Sequence, residues 1–181
     1  LQTKLSIRPL TKLHKPLLVK WLSDPEVLQF YEGRDKPFNI NIVESEFYTN
    51  EPFLSRRIIY FHKAPIGYVQ YYPINKTTSN LTALVGKCAY GMDQFIGEAD
   101  YRNKGIGTVL VKKIAKFLME EQDAHKVILD PQVENERAVA CYEKAGFKRV
   151  KKLLDHEFHE GKYRDCWLME CKKINEDGSA K

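Results

Sequence analysis

At 181 residues and a net charge of +5, the chain has the length of one domain able to bury a full core. Its 43% hydrophobic and 29% charged residues are those of a globular protein, and no apolar run approaches the ~18–20 residues of a membrane span. Basic and acidic residues are interleaved in every segment, which argues against nucleic acid as the partner, and the widely spaced Cys88, Cys141, Cys166 and Cys171 form neither a zinc spacing nor a disulfide framework.

Taken in order, Lys4 to Pro9 alternates and stops at proline, as a short strand does. Leu10 to Leu22 carries Leu13, Leu17, Leu18, Trp21 and Leu22 at helical spacing, with Pro16 in the first turn. Asp24-Pro25 supplies an N-cap and first position for a short helix to about Tyr31. A polar loop, Glu32 to Pro37, leads to a helix from Ile40 to Tyr48. Arg56 to His62 and Pro65 to Tyr72 read as a hairpin turning at Lys63-Ala64. Asn75 to Val85 is irregular and reads as a flexible insertion. Lys87 to Gly97 is a strand.

A helical pattern follows, with Ile106, Val109, Leu110, Ile114, Phe117 and Leu118 on one face. Lys126 to Asp130, stopped by Pro131, is a short apolar run of the kind buried on both faces. Asn135 to Lys144 is helical and leaves through Gly146. Phe147 to Phe158 and Tyr163 to Cys171 are strands joined at His159-Glu-Gly-Lys162. Residues 1–174 form a single domain on this reading, and 175–181 a polar, disordered tail. Strands mixed with helices in this order predict an α/β fold. No secretory leader is read, so a cytoplasmic location is expected.

The chain is organised around Asp100-Tyr-Arg102-Asn103-Lys104-Gly105-Ile106-Gly107-Thr108. An Arg-x-x-Gly-x-Gly turn sits between a strand and a helix. Glycine lets backbone approach a ligand, and the helix start offers unpaired N–H groups to an anion. With Arg102 and Lys104 at the same mouth, a pyrophosphate cradle is one reading. A tight turn alone is the other.

Arg102-x-x-Gly105-x-Gly107 after a strand, followed by Asn135-x-x-Ala138-x-x-x-Tyr142-x-x-Ala-Gly-Phe147, resembles the GCN5-related N-acetyltransferase superfamily over nearly the whole chain. Within it, Trp21-Leu-Ser-Asp-Pro-Glu-Val-Leu28, Phe30-Tyr31-x-Gly33-Arg-Asp35, Pro65-Ile-Gly-Tyr68, Tyr90-Gly-Met-Asp-Gln-Phe-Ile-Gly-Glu98, Ile128-Leu-Asp-Pro131 and His156-x-x-His-Glu-Gly161 are similar to the aminoglycoside 6'-N-acetyltransferases. The match is to the acetyltransferase half of the bifunctional acetyltransferase–phosphotransferase enzyme; the phosphotransferase half has no counterpart in the chain.

The resemblance implies a mixed, centrally splayed sheet of about seven strands with flanking helices. It implies acetyl-CoA as donor, no metal, and the 6'-amine of an aminoglycoside as acceptor, with antibiotic resistance as the outcome. A protein N-terminus or a polyamine as acceptor, and a non-catalytic acyl-CoA-binding module, are the alternatives. No feature fixes an oligomeric state.

Pantetheine is expected along Phe95 and Ile96, with the oxyanion donor a backbone N–H near Phe95. Pyrophosphate is expected on the N–H groups of Arg102 to Thr108, and further cofactor contacts at Asn135, Ala138 and Tyr142. Acyl transfer to an amine needs a base, an oxyanion donor and a proton for the leaving thiolate. The resemblance places the base at Asp93, although a free aspartate near pKa ~3.9 is a poor base for an alkylammonium. It places the acid at Tyr142. Their plain structural readings are a sheet carboxylate and a core tyrosine, and for Asn135 an N-cap. A polycationic acceptor calls for an acidic cleft, for which Asp35, Tyr90, Asp93, Asp130 and Glu157 are the candidates, Asp130 first because it ends the central strand.

Overall fold

A computed structural model describes residues 4–74 and 88–173. The expected insertion at 75–85 and tail at 175–181 lie outside the described residues.

Seven strands form one sheet: β1 (Leu5–Pro9), β2 (Ser55–Phe61), β3 (Ala64–Ile74), β4 (Ala89–Ile96), β5 (Lys126–Leu129), β6 (Lys148–His159) and β7 (Lys162–Lys172). Their spatial order is β1-β2-β3-β4-β5-β7-β6. Every pairing is antiparallel except β4 with β5. Between β1 and β2 lie α1 (Lys15–Trp21), α2 (Pro25–Leu28) and α3 (Ile40–Phe47). A 16-residue helix, α4 (Ile106–Glu121), joins β4 to β5, and α5 (Glu136–Lys144) joins β5 to β6.

Period-two alternation sorts the strand side chains between two cores. Ile59, Val69, Met92, Val127 and Leu129 face α4 and α5. Ile58, Tyr68 and Phe95 face α1 to α3, where Trp21, Leu22, Val27 and Phe47 complete a second buried cluster. Ile128 points away from its neighbours on β5 into a third cluster with Leu153 and Leu168. β5 is therefore apolar on both faces, as its unbroken run predicts.

The sheet opens at its middle, and the strand pairing accounts for it. β4 and β5 pair only from Ala89↔Lys126 to Gly91↔Ile128. β3 stays with β4 as far as Gly67↔Ile96, so Met92 to Ile96 carry a partner on one edge only. Beyond Leu129 the chain follows β7 instead. The Trp167 N–H donates to the Pro131 carbonyl at 2.8 Å, and the Val133 N–H to the Asp165 carbonyl at 2.9 Å. Pro131, lacking an N–H, could not have continued a ladder by donation to β4. The result is a cleft between β4 and the residues that follow β5.

Some boundaries differ from the sequence reading. The first helix starts at Lys15 after a 3-10 turn at Lys12–His14, because Pro16 occupies its first turn. The helix after Asp24 ends at Leu28, not Tyr31. The buried stripe of α4 is Ile106, Leu110, Val111, Ile114, Ala115 and Leu118. Phe117 is 38% exposed and lies at the rim against Tyr71, ring centroids 5.9 Å apart. The small Ala115 therefore takes the inward place that the sequence reading gave to a larger residue. β6 is interrupted by irregularities between Arg149 and Lys151 and between Leu153 and Glu157, with Asp155 at φ 47°.

Candidate active site

A cleft of about 720 Å³ lies in the split between the strands and is walled by β4, the start of α4, α5, the end of β5 and the α2 region. Ligand pockets commonly span ~300–1,000 Å³.

One end is built from main chain. Gly105 caps α4 at φ 75°, a left-handed conformation that favours glycine. Val109 N–H donates to the Gly105 carbonyl. Among the described residues, the N–H groups of Asn103 through Thr108 carry no hydrogen bond. Six consecutive donors at the start of a long helix suit an anion, and Asn103, Gly105, Gly107 and Thr108 among them line the cleft. Gly107 has a different reason: a Cβ there would lie 3.2 Å from the Cys141 Sγ of α5. Its bareness lets α5 close against α4. Burial pushes the Cys141 thiol up, and its partner is the Thr108 hydroxyl at 3.4 Å.

Arg102 requires a correction. Its guanidinium does not face an incoming anion. Nη2 donates to Asp24 Oδ2 and to the Gly97 carbonyl, both at 2.7 Å, Nε donates to the Ile96 carbonyl at 2.9 Å, and Nη1 bonds Glu26. The side chain is 9% exposed. Its own N–H is also taken, by the Ala99 carbonyl. Arg102 ties α2 to the end of β4, and the N–H cradle starts at Asn103. Lys104 is exposed and the Ile106 side chain is buried in the core, and neither lines the cleft.

The other end is built from carboxylates. Asp93 pairs across the strands with Gln70, whose Nε2 donates to Asp93 Oδ2 at 2.9 Å. Loss of solvation pushes its carboxyl up from 3.8 to about 6; the Gln70 bond opposes this, and Asp130, Glu32 and Glu157 add repulsion. Asp130 Oδ2 accepts from His156 Nε2 at 3.0 Å. That contact raises His156 above its ordinary value. Glu157 accepts from Gln132 Nε2 at 3.1 Å and lies 3.3 Å from His159 Nδ1. Glu32 is raised by burial first, then by its carboxylate neighbours.

Of the acceptor candidates, Asp93, Asp130 and Glu157 line the cleft. Tyr90 does not: it precedes the split, opposite Val127, and packs on the main core. Asp35 does not either; it is exposed beyond the turn at Gly33. Phe95, Ile96, Asn135, Ala138 and Tyr142 all line the cleft. Phe95 is also core, 4.8 Å from Tyr31 in an edge-on contact. Asn135 caps α5, its Oδ1 accepting from the Ala138 N–H at 3.2 Å. Tyr142 Oη accepts from Gln94 Nε2 at 2.7 Å, and burial pushes its hydroxyl well above the usual tyrosine range.

Gln70 and Gln132 were not singled out in the sequence, and Gln94 and His156 stood there only within the matched stretches, with no role of their own. Among the described residues, no group of three His, Cys, Asp or Glu is placed to hold a metal, and no described helix is long and apolar enough to cross a membrane.

The cleft thus carries main-chain donors at one end and carboxylates at the other. The chain belongs to the GNAT acetyltransferase family: the model of the acetyltransferase (GNAT) domain matches residues 11–154. It is 26% identical over 148 residues to an aminoglycoside N(6')-acetyltransferase type 1 of Klebsiella pneumoniae, covering 80% of this chain and 74% of that one.

Two solved structures share the fold. The aminoglycoside acetyltransferase AAC(6')-Ib in complex with coenzyme A and kanamycin gives a TM-score of 0.75 at 22% identity, over 93% of this chain and 95% of that one. Spermidine N-acetyltransferase from Vibrio cholerae in complex with CoA and spermine gives 0.77 at 20% identity, over 94% and 96%.

Proposed function

We propose that this protein transfers the acetyl group of acetyl-CoA to the 6'-amine of an aminoglycoside. The observation that carries this reading is the polarity of the cleft in the split sheet. Six free N–H groups at the start of α4 suit a pyrophosphate. The unpaired edge of Met92 to Ile96 suits the amides of a pantetheine arm. Four carboxylates, Asp93, Asp130, Glu32 and Glu157, suit an acceptor with more than one ammonium group. The relatives named for aminoglycoside acetylation support the same acceptor.

In this reading Asp93 takes the proton from the attacking amine. Its elevation to about 6 makes it a better base than a free carboxylate by roughly two pKa units, or ~3 kcal/mol. Tyr142 gives its proton to the departing sulfur. Its position on α5 is the one that the Ala138 to Phe147 pattern assigned. Asp130 and Glu157 hold further ammonium groups of the acceptor through charge-assisted contacts.

A polyamine is the second reading, favoured by the fold shared with the spermidine enzyme. Release of free thiol from acetyl-CoA, measured in parallel with kanamycin, spermidine and a short peptide, separates them. Turnover with kanamycin and none with the other two is expected. Turnover with spermidine alone would replace the aminoglycoside by a linear polyamine.

A further inference from the structure

Gln94 follows Asp93 on β4, so alternation turns it to the opposite face, toward α5. There its Nε2 donates to the Tyr142 hydroxyl oxygen at 2.7 Å. Its Oε1 is buried and has no partner among the described residues. The direction of this bond matters. A phenol oxygen that accepts from an amide keeps its own O–H proton free for another acceptor, and among the described residues the Tyr142 hydroxyl has no other partner. The residue lines the cleft, as Gln94 does. A neutral donor also suits the deprotonated state. When the phenol loses its proton, the amide N–H faces a developing negative charge, and such bonds strengthen with charge. Burial acts against the phenolate, and the Gln94 bond is the contact that opposes burial.

We infer that Gln94 is the positioning residue for the proton of Tyr142, holding the phenol so that its O–H points into the cleft and steadying the oxygen once that proton has gone. This rests on Tyr142 being the acid. In that step the adduct formed when the acceptor nitrogen has bonded to the thioester carbon collapses: the carbonyl re-forms, the carbon–sulfur bond breaks with its electron pair going to sulfur, the sulfur takes the Tyr142 proton, and the phenolate regains a proton from solvent after the thiol leaves. A glutamate at position 94 would do the reverse. Its carboxylate would accept the phenol proton and repel the phenolate.

The test is steady-state acetyl transfer, with the acceptor selected by the parallel assay, in Gln94→Met and Gln94→Glu, each made also in a Tyr142→Phe background. In Gln94→Met, kcat should fall about 10–100-fold, the scale of one hydrogen bond to a developing charge. The dissociation constant for CoA by titration should stay within about twofold. Gln94→Glu should fall at least as far. In the Tyr142→Phe background both losses should shrink to about twofold or less, since there is no proton left to position.

Should Gln94→Met fail to fold, Gln94→Asn, whose amide stops short of Tyr142, is expected to give the same pattern. A kcat unchanged in Gln94→Met overturns the inference. So does a loss that persists undiminished without the Tyr142 hydroxyl. A rise in kcat overturns it as well, since it would mean that the amide carbonyl faces Tyr142 and restrains its proton. Full activity in Tyr142→Phe alone, measured with Gln94 intact, would instead strike the assignment of Tyr142 as the acid.

Discussion

The two ends of the cleft are made of different material. The end at α4 is a row of N–H groups over consecutive residues, Asn103 to Thr108, and its charge comes from backbone geometry. The acidic end draws Glu32 from the loop after α2, Asp93 from β4, Asp130 from the end of β5 and Glu157 from β6. The first end is local in sequence and insensitive to most side chains. The second exists only when the sheet has formed and split, and three of its groups, Asp130, Glu32 and Glu157, add to the raising of Asp93. A local, main-chain site is broken by blocking it. A distributed, side-chain site is broken by removing one charge, and the neighbours then respond.

The largest effect is expected at the acidic end. Asp93→Asn keeps the shape and removes the proposed base, so kcat should fall roughly 10²–10⁴-fold while the dissociation constant for CoA hardly moves. With the free carboxyl raised to about 6, kcat/KM of the wild type should drop as pH falls below that value, and the variant should lose this limb. Stability should move the other way. A carboxyl whose folded pKa is raised destabilises the fold fully above about 6, and the penalty vanishes below the unfolded value near ~3.9. Thermal melts should therefore find Asp93→Asn more stable than wild type at pH 7.5, with the gap closing toward pH 4. A variant equally unstable at both pH values would mean that the carboxylate carries no such penalty.

Gly105→Asp sharpens the contrast from the other end. The position is open, with nothing within 4 Å of an added Cβ. Aspartate tolerates the left-handed backbone better than most residues, so the fold should survive. The added charge would stand in the proposed pyrophosphate cradle, and CoA affinity by calorimetric titration should weaken roughly 10–100-fold, with the dissociation constant for the acceptor near normal. Unchanged CoA affinity in the folded variant would return the Arg-x-x-Gly-x-Gly turn to a turn and nothing more.

The same difference explains what could be read in advance. The glycine spacing, the α4 stripe and the Asn135 to Phe147 pattern are short-range signals, and they pointed to the turn at the start of α4, to the Asn135 cap and to a Tyr142 that lines the cleft. The seven strands followed from alternation and turn residues. Arg102 misled because charge in a sequence carries no direction: beside a glycine-rich turn it reads as an anion contact, yet Asp24 and Glu26, more than seventy residues earlier, take it. Tyr90 misled by parity and position, lying two residues before the split begins. The pairs Gln70–Asp93, Gln94–Tyr142 and Asp130–His156 join separate elements and leave no periodic trace.

The smallest effect is expected at Asp130, and it discriminates between base and binding residue. Asp130→Asn removes the charge proposed to bind an ammonium of the acceptor, so the acceptor KM should rise about tenfold with kcat largely kept. His156 adds a pH signature. Its Nε2 bonds Asp130, which raises its pKa. Below that pKa a protonated His156 occupies Asp130 as an internal cation. As pH rises and His156 loses its proton, Asp130 becomes free for the acceptor. The ratio of variant to wild-type KM should therefore grow with rising pH through this range, a ratio that cancels the titration of the acceptor itself. A flat ratio would leave Asp130 outside acceptor binding. A collapse of kcat at Asp130 beside near-normal turnover in Asp93→Asn would exchange the roles of the two carboxylates. Wild-type kinetics in both variants would move the acceptor out of the acidic end, and the aminoglycoside reading would fall with it.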